Sequence, residues 1–186
     1  GAFYSLFHSI SAFCNAGFDV LGKGNSLISF NTNVVVIMVL SILIIIGGLG
    51  FTVWSELYTC KSIRRVSIHS KMVLLITTGL VVGGTLLMFL FEHNNPQTIS
   101  KMSFINKLTN SFFASVTPRT AGFNSISTSG MTTAGQFLTI ILMFIGGSPG
   151  STAGGIKTTT IGVLIVTVVS VIRGREDSEV FKRRFS

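Results

Sequence analysis

Three stretches of this chain carry no charge over lengths that suit a membrane: Val34 to Ser55, Met72 to Phe91, and Thr120 to Ile156. The first two predict helices able to cross roughly 30 Å of hydrocarbon. One spans Thr32–Thr59, opening on the capping residues Asn31, Thr32 and Asn33; the other spans Ile68–Phe91. The third stretch exceeds one simple span and is broken by glycine and proline. Two further apolar segments, Phe3–Phe13 and Phe104–Thr117, are helix-compatible but too short to cross, and read as helices that enter the membrane part-way. Asp19–Asn33 reads as a surface loop, with Gly22, Gly24 and several Asn/Asp residues. The order is therefore half-helix, loop, span, span, half-helix, loop, broken span.

The two half-helices end alike. Cys14-Asn15-Ala16-Gly17-Phe18-Asp19 follows the first, and Thr117-Pro118-Arg119-Thr120-Ala121-Gly122-Phe123-Asn124 follows the second. Each copy of Ala-Gly-Phe is followed by Asn or Asp, and each is succeeded by Ile-Gly-Gly, at Ile46-Gly47-Gly48 and Ile145-Gly146-Gly147. Two landmarks in the same order describe one supersecondary unit used twice. Pro118 is expected to push Thr117 out of helical geometry.

Composition agrees. Charged residues are 11% of the chain against about 25% in a soluble domain, and the mean hydropathy is +0.67. The net charge of +8 sits in clusters: Lys61, Arg64, Arg65 and Lys71, then Arg173, Arg175, Lys182, Arg183 and Arg184. Both abut helix ends, which the positive-inside rule reads as cytoplasmic. No basic stripe interleaves with exposed aromatics, so nucleic-acid binding is set aside. Cys14 and Cys60 flank one span from opposite sides and are too far apart for a disulfide. With no signal peptide and Gly1 in place of Met, the chain reads as a piece of something longer.

Irregular backbone at membrane depth is tolerated only inside protein or along a watery cavity, because an unpaired carbonyl costs several kcal/mol there. Carbonyls aligned in a ring have a use: they replace the hydration shell of a cation. Cys14, Asn15, Ala16 and Gly17, with Arg119, Thr120, Ala121 and Gly122, are the expected carbonyl donors, the glycines supplying backbone freedom. The Arg119 side chain is expected to turn from the ion path toward the C-terminal end of the short helix, with a buried acidic partner.

The segment Gly146, Gly147, Ser148, Pro149, Gly150, Ser151, Thr152, Ala153, Gly154, Gly155, Ile156, Lys157, Thr158 holds five glycines and a proline. It suits a movable constriction, placed well below the filter, with a packing kink as the alternative. A phosphate-binding loop does not fit, since Lys157 falls one residue late. A rival of another class is an intramembrane hydrolase using Ser148 or Ser151 with Lys157 as base. Gly47-Gly48-Leu49-Gly50 reads as a close packing site, as do Gly79, Gly83 and Gly84. His8 reads as a packed, hydrogen-bonded residue, Glu56 as facing water or Arg64, and Glu92 with His93 as part of a solvated loop.

The motif Thr117–Asn124, together with the run from Gly147 to Thr158, resembles the third repeat of the Trk/Ktr/HKT potassium-transporter superfamily; Asn15-Ala16-Gly17-Phe18 matches that family's second pore loop. Among its branches the chain is most similar to the KtrB-type membrane subunit. The resemblance implies an all-α membrane protein built of repeated, potassium-channel-like helix–pore-loop–helix units with a broken inner helix. It divides the chain into a second-repeat pore loop and inner helix (1–60), a third repeat (61–172) and a cytoplasmic basic segment (173–186). Within the third repeat it implies an outer helix at 68–91, a pore helix at 104–117, a filter at 118–123 and a broken inner helix at 131–172. The first and fourth repeats of the family's pore are missing from this stretch. The resemblance also implies K+ as the ion held by the filter carbonyls, Na+ as a coupled or rival ion, and no covalently bound cofactor or catalytic residue. Its implied partners are membrane lipid, a second copy of the chain, and a cytoplasmic nucleotide-binding ring of KtrA type, in a multi-pass inner-membrane protein.

Overall fold

A computed structural model describes residues 1–21, 26–60, 66–172, 179–180 and 183–184. Its helices are α1 (Ala2–Phe13), α2 (Val34–Leu49), α3 (Phe51–Thr59), α4 (Ile68–Glu92), α5 (Phe104–Val116), α6 (Thr133–Phe144) and α7 (Thr158–Ile172). A two-residue antiparallel ladder joins Glu179–Val180 (β1) to Arg183–Arg184 (β2). The expectations for Gly22, Gly24, Lys61, Arg64, Arg65, Arg173, Arg175 and Lys182 lie outside the described residues.

Local chemistry starts these helices where polar residues precede apolar runs. Asn33, Ser67, Ser103 and Thr132 each accept a hydrogen bond from a first-turn N–H of α2, α4, α5 and α6 respectively. The 25 residues of α4 rise about 37 Å, and among the described residues α4 is the one helix long and apolar enough to cross a membrane unaided.

The first expected span is not one helix. The chain turns by 93° between α2 and α3, and Gly50 makes the corner with φ +86° and ψ 151°. That region of backbone space belongs almost wholly to glycine. Space requires glycine too: a Cβ at Gly50 would lie 2.6 Å from Ser148 Oγ and 2.8 Å from the Pro149 carbonyl oxygen. Both inner helices are therefore broken.

The pore helix α5 stops half-way along α4. Ser115 Oγ donates to the carbonyls of Leu80 and Val81 at 3.3 and 3.1 Å, and Gly84 admits the Ser115 side chain. Gly79 and Gly83, by contrast, have open space where a Cβ would go, so of the three only Gly84 serves close packing. Pro118 leaves Thr117 helical (φ −63°, ψ −34°). The loop outweighs the proline's bias, because the Thr117 carbonyl collects the N–H groups of Ala121 and Gly122.

One apolar cluster binds the two copies together. Phe113 and Phe123, both fully buried, pack with Ala12, Ile37, Leu40 and Ile44. A second cluster, including Met88, Ala114, Leu138 and Leu142, fixes α4, α5 and α6 to one another.

The outer end of α4 is organised by Glu92, which is buried and does not lie in a solvated loop. Its carboxylate accepts from Thr132 N (2.9 Å), Thr132 Oγ1 (2.7 Å), Asn95 Nδ2 (2.8 Å) and Thr98 Oγ1 (2.7 Å). It thereby ties the end of α4 to the start of α6. Glu56 likewise accepts from Ser67 N at 3.0 Å, at the start of α4.

Candidate functional site

The two pore loops share one backbone pattern. In the first, Cys14 has φ −77°, Asn15 +50° and Gly17 +70°, with Ala16 on the negative side. In the second, Thr120 has φ +77° and Gly122 +81°, with Arg119 and Ala121 on the negative side. Alternation of negative and positive φ sets this backbone apart from helix and strand, and leaves its peptide groups outside any regular ladder. Positive φ at a β-branched threonine is a true outlier.

Accounting for the carbonyls sharpens the pattern. The flanking carbonyls are engaged: Phe18 receives Ser11 Oγ at 3.0 Å, Phe123 receives Thr117 Oγ1 at 2.6 Å, and Phe13 receives Thr152 Oγ1 at 3.0 Å. Between them, the carbonyls of Cys14, Asn15, Ala16, Gly17, Arg119, Thr120, Ala121 and Gly122 accept no hydrogen bond from any described residue. The loops touch at their glycines, since a Cβ on Gly17 would overlap the Ala121 carbonyl oxygen. Their residues fit a desolvated monovalent cation, which asks for neutral oxygens rather than carboxylates. Among the described residues no cluster of His, Cys, Asp or Glu could hold a metal ion.

Arg119 is 4% exposed, and its Nη2 lies 3.8 Å from where a Cβ of Gly48 would stand, near the end of α2. Two parts of the expectation fail here. The side chain reaches α2 at Gly48, and at the end of α5 the carbonyls of Phe113, Val116 and the cap Thr117 already receive N–H groups of Thr117, Arg119, Ala121 and Gly122. No acidic partner meets it among the described residues, and Nε and Nη1 have no hydrogen-bond partner there. The negative end of the α2 dipole is what faces the guanidinium.

Residues 146–157 form a closed loop between α6 and α7. Gly146 N donates to Ile156 O at 3.0 Å and Ile156 N to Phe144 O at 3.2 Å, stitching its base. Its tip caps the corner of the first inner helix. The Gly47 carbonyl receives Thr152 N, with Thr152 Oγ1 3.1 Å away, that of Gly48 receives Ser148 N, and that of Leu49 receives Ser148 Oγ. Trp54 Nε1 takes the Ile46 carbonyl at 3.0 Å, and Phe51 N on the far side of the corner donates to Gly150 O. All four carbonyls left over at the end of α2 are thus partnered.

This loop lies against the two pore loops, not well below them as expected. Thr152 Oγ1 donates toward Phe13 O and accepts from Asn15 Nδ2 at 2.9 Å, while Gly154 N donates to Thr120 Oγ1 at 3.2 Å. The reason is length. The chain leaves the second pore loop toward Thr132, beside Glu92, and the 12 residues of α6 bring it back only about 18 Å.

A serine hydrolase finds no dyad here. Lys157 Nζ donates to Ala153 O at 2.8 Å, Ser151 Oγ to Ser148 O, and Ser148 Oγ to Leu49 O. His8 packs as expected, its Nδ1 2.7 Å from Tyr4 O and its Nε2 3.1 Å from Asp19 Oδ1. Cys14 and Cys60 are free thiols. Sequence reasoning missed the roles of the Asn15 and Thr120 side chains, the Gly50 corner and the buried Glu92. Gly50 alone had a local signal, a second glycine two residues after Gly48 within an apolar run.

The whole of residues 1–186 matches the family model described as TrkH, cation transport protein. The chain is similar to the potassium/sodium uptake protein NtpJ of Enterococcus hirae, with 48% identity over 98% of this chain and 40% of the relative. It is similar to the Ktr system potassium uptake protein B of Bacillus subtilis, with 40% identity over 98% of this chain and 41% of the relative. Its fold is similar to the crystal structure of the potassium transporter TrkH from Vibrio parahaemolyticus, with a TM-score of 0.73 at 20% identity, over 97% of this chain and 38% of that one. The chain spans about two fifths of the length of the curated relatives it matches.

Proposed function

The chain belongs to the TrkH family of cation transport proteins, and on that premise we propose that it forms part of a channel-like pore for potassium uptake. Membrane location follows from the family. Two pore loops with alternating φ, and eight carbonyls that accept nothing from the described residues, support the filter assignment. The cation would trade its hydration shell for these oxygens, with no covalent step. Residues 146–157 serve as the intramembrane gate, lying directly against the filters. Residues 1–60 supply a second-repeat pore loop and inner helix, residues 61–172 the third repeat, and residues 173–186 a cytoplasmic segment. The printed names of the relatives support the ion: one is a potassium/sodium uptake protein and one belongs to a Ktr system. By the same likeness the protein sits in the inner membrane as a homodimer, under a cytoplasmic nucleotide-binding ring, with sodium as a coupled ion.

Serine at the two filter glycines tests this. Gly17→Ser pushes a side chain into the Ala121 carbonyl and disturbs both filters, whereas Gly122→Ser meets nothing closer than 3.9 Å and suffers backbone strain alone. In the full-length protein, expressed in a strain lacking other potassium uptake, Gly17→Ser should cut uptake at low potassium at least about tenfold, the equivalent of about 1.4 kcal/mol. Gly122→Ser should shift potassium preference over sodium with a smaller loss of uptake. Unchanged growth and unchanged ion preference in both variants would remove the filter assignment.

A further inference from the structure

Of the three described residues that hold positive φ without being glycine, Asn15, Ser26 and Thr120, the first and last occupy the same position in the two copies, two residues before Gly17 and Gly122. Glycine there would adopt the backbone at no steric cost. Each instead carries a polar side chain, and each side chain meets the same loop. Asn15 Nδ2 donates to Thr152 Oγ1 at 2.9 Å, and Thr120 Oγ1 receives Gly154 N at 3.2 Å. Thr152 Oγ1 lies 3.0 Å from Phe13 O and 3.1 Å from Gly47 O, so one hydroxyl joins the base of the first filter to the corner of the inner helix.

Resting on the reading of residues 146–157 as the gate, we propose that Asn15 and Thr120 are the latches that hold the gate loop against the filter, one from each copy. Their carbonyls serve the ion path and their side chains serve the loop. Opening then means that Thr152 and Gly154 leave these two partners, and the closed state is stabilised by the same residues that line the filter. The Gly50 corner moves with the loop, because Ser148 and Thr152 cap it. Asn15 is 7% exposed and its Oδ1 finds no partner among the described residues; its amide group donates to Thr152 Oγ1 of the loop at 2.9 Å and, more distantly, to the Ile44 carbonyl of α2 at 3.4 Å.

The test uses full-length protein in liposomes, with flux normalised to inserted protein and measured across potassium concentrations. Thr152→Val and Thr120→Val keep the branched shape and remove the hydroxyl. Each should raise maximal flux about fivefold, the equivalent of one net neutral hydrogen bond of about 1 kcal/mol, while the potassium concentration for half-maximal flux stays put. Thr152→Ser should restore the low flux. Asn15→Leu combined with Thr152→Val should raise flux no further than Thr152→Val alone, because Thr152→Val already removes the contact between them. A change in half-maximal concentration or in potassium/sodium preference without faster flux would overturn the latch, since that outcome assigns the side chains to the filter cage. Deletion of residues 148–154 separates the two readings. If the deleted protein inserts and conducts faster while both valine variants conduct as before, the latch is wrong and the gate stands. If the deleted protein inserts and conducts no faster, the gate reading itself is lost.

Discussion

At the scale of single residues, Glu92 shows how far a side chain's role departs from its local surroundings. It stands at the end of a long apolar helix, before His93, Asn94, Asn95 and Pro96, where a carboxylate ordinarily faces water. The fold closes over it with four donors. Hydrogen bonds to a charged group contribute about 1.5–3 kcal/mol each, and an abandoned buried partner costs extra. Glu92→Gln, which keeps the shape and loses the charge, should lower stability by about 2 kcal/mol, and Glu92→Ala by more. Thermal unfolding in detergent, followed by Trp54 fluorescence, measures both, and a variant as stable as the parent would contradict the staple. The cost is structural: the α6 N-terminus should loosen while the two pore loops keep their pattern of φ angles.

At the scale of elements, the inner helices derive their shape from each other. The corner at Gly50 would leave carbonyls of α2 bare at membrane depth, each costing several kcal/mol, had the loop between α6 and α7 not reached across to cap them. Neither break is self-sufficient. Gly50→Ala places a Cβ at positive φ and against Ser148 and Pro149, so it should cost more than about 1 kcal/mol. It should also dislodge the loop and raise flux per inserted molecule. A Gly50→Ala protein with the melting temperature and flux of the parent would show that corner and loop are independent. The aromatic face of α3, with Phe51, Trp54 and Tyr58 exposed beyond the corner, suits the membrane–water boundary where such residues concentrate.

At the scale of the whole molecule, the arrangement of charge sets the orientation. Nine Lys/Arg residues fall in the segments 61–71 and 173–186, and three in 19–33 and 92–107. By the positive-inside rule this asymmetry predicts that the first pair of segments faces the cytoplasm. Asn94 and Tyr58 are exposed at opposite ends of the fold and make no capping contact. With Cys14 and Cys60 replaced by serine, an impermeant thiol reagent on intact cells should label Asn94→Cys and spare Tyr58→Cys. The reverse pattern would invert the topology. Packing between copies is lopsided: Phe123 is fully buried against the first copy, while its counterpart Phe18 is 68% exposed.

Much of the architecture was legible because the signals are local. Uncharged runs, capping residues and the twice-used Ala-Gly-Phe mark α1, α4 and α5 to within a residue or two, since hydrophobic run and cap are read from neighbouring residues. The positive φ of Gly17 and Gly122 was legible as well, because glycine at a repeated spacing signals backbone of unusual hand. What only tertiary structure decided rests on contacts over long sequence separations. Thr132 completes the Glu92 site from 40 residues away, Ser148 caps Leu49 from 99, and Thr152 reaches Asn15 from 137. No periodicity encodes such pairs: a corner in a helix is affordable only once a distant segment satisfies its carbonyls, and a strained threonine is explained only by what its hydroxyl meets.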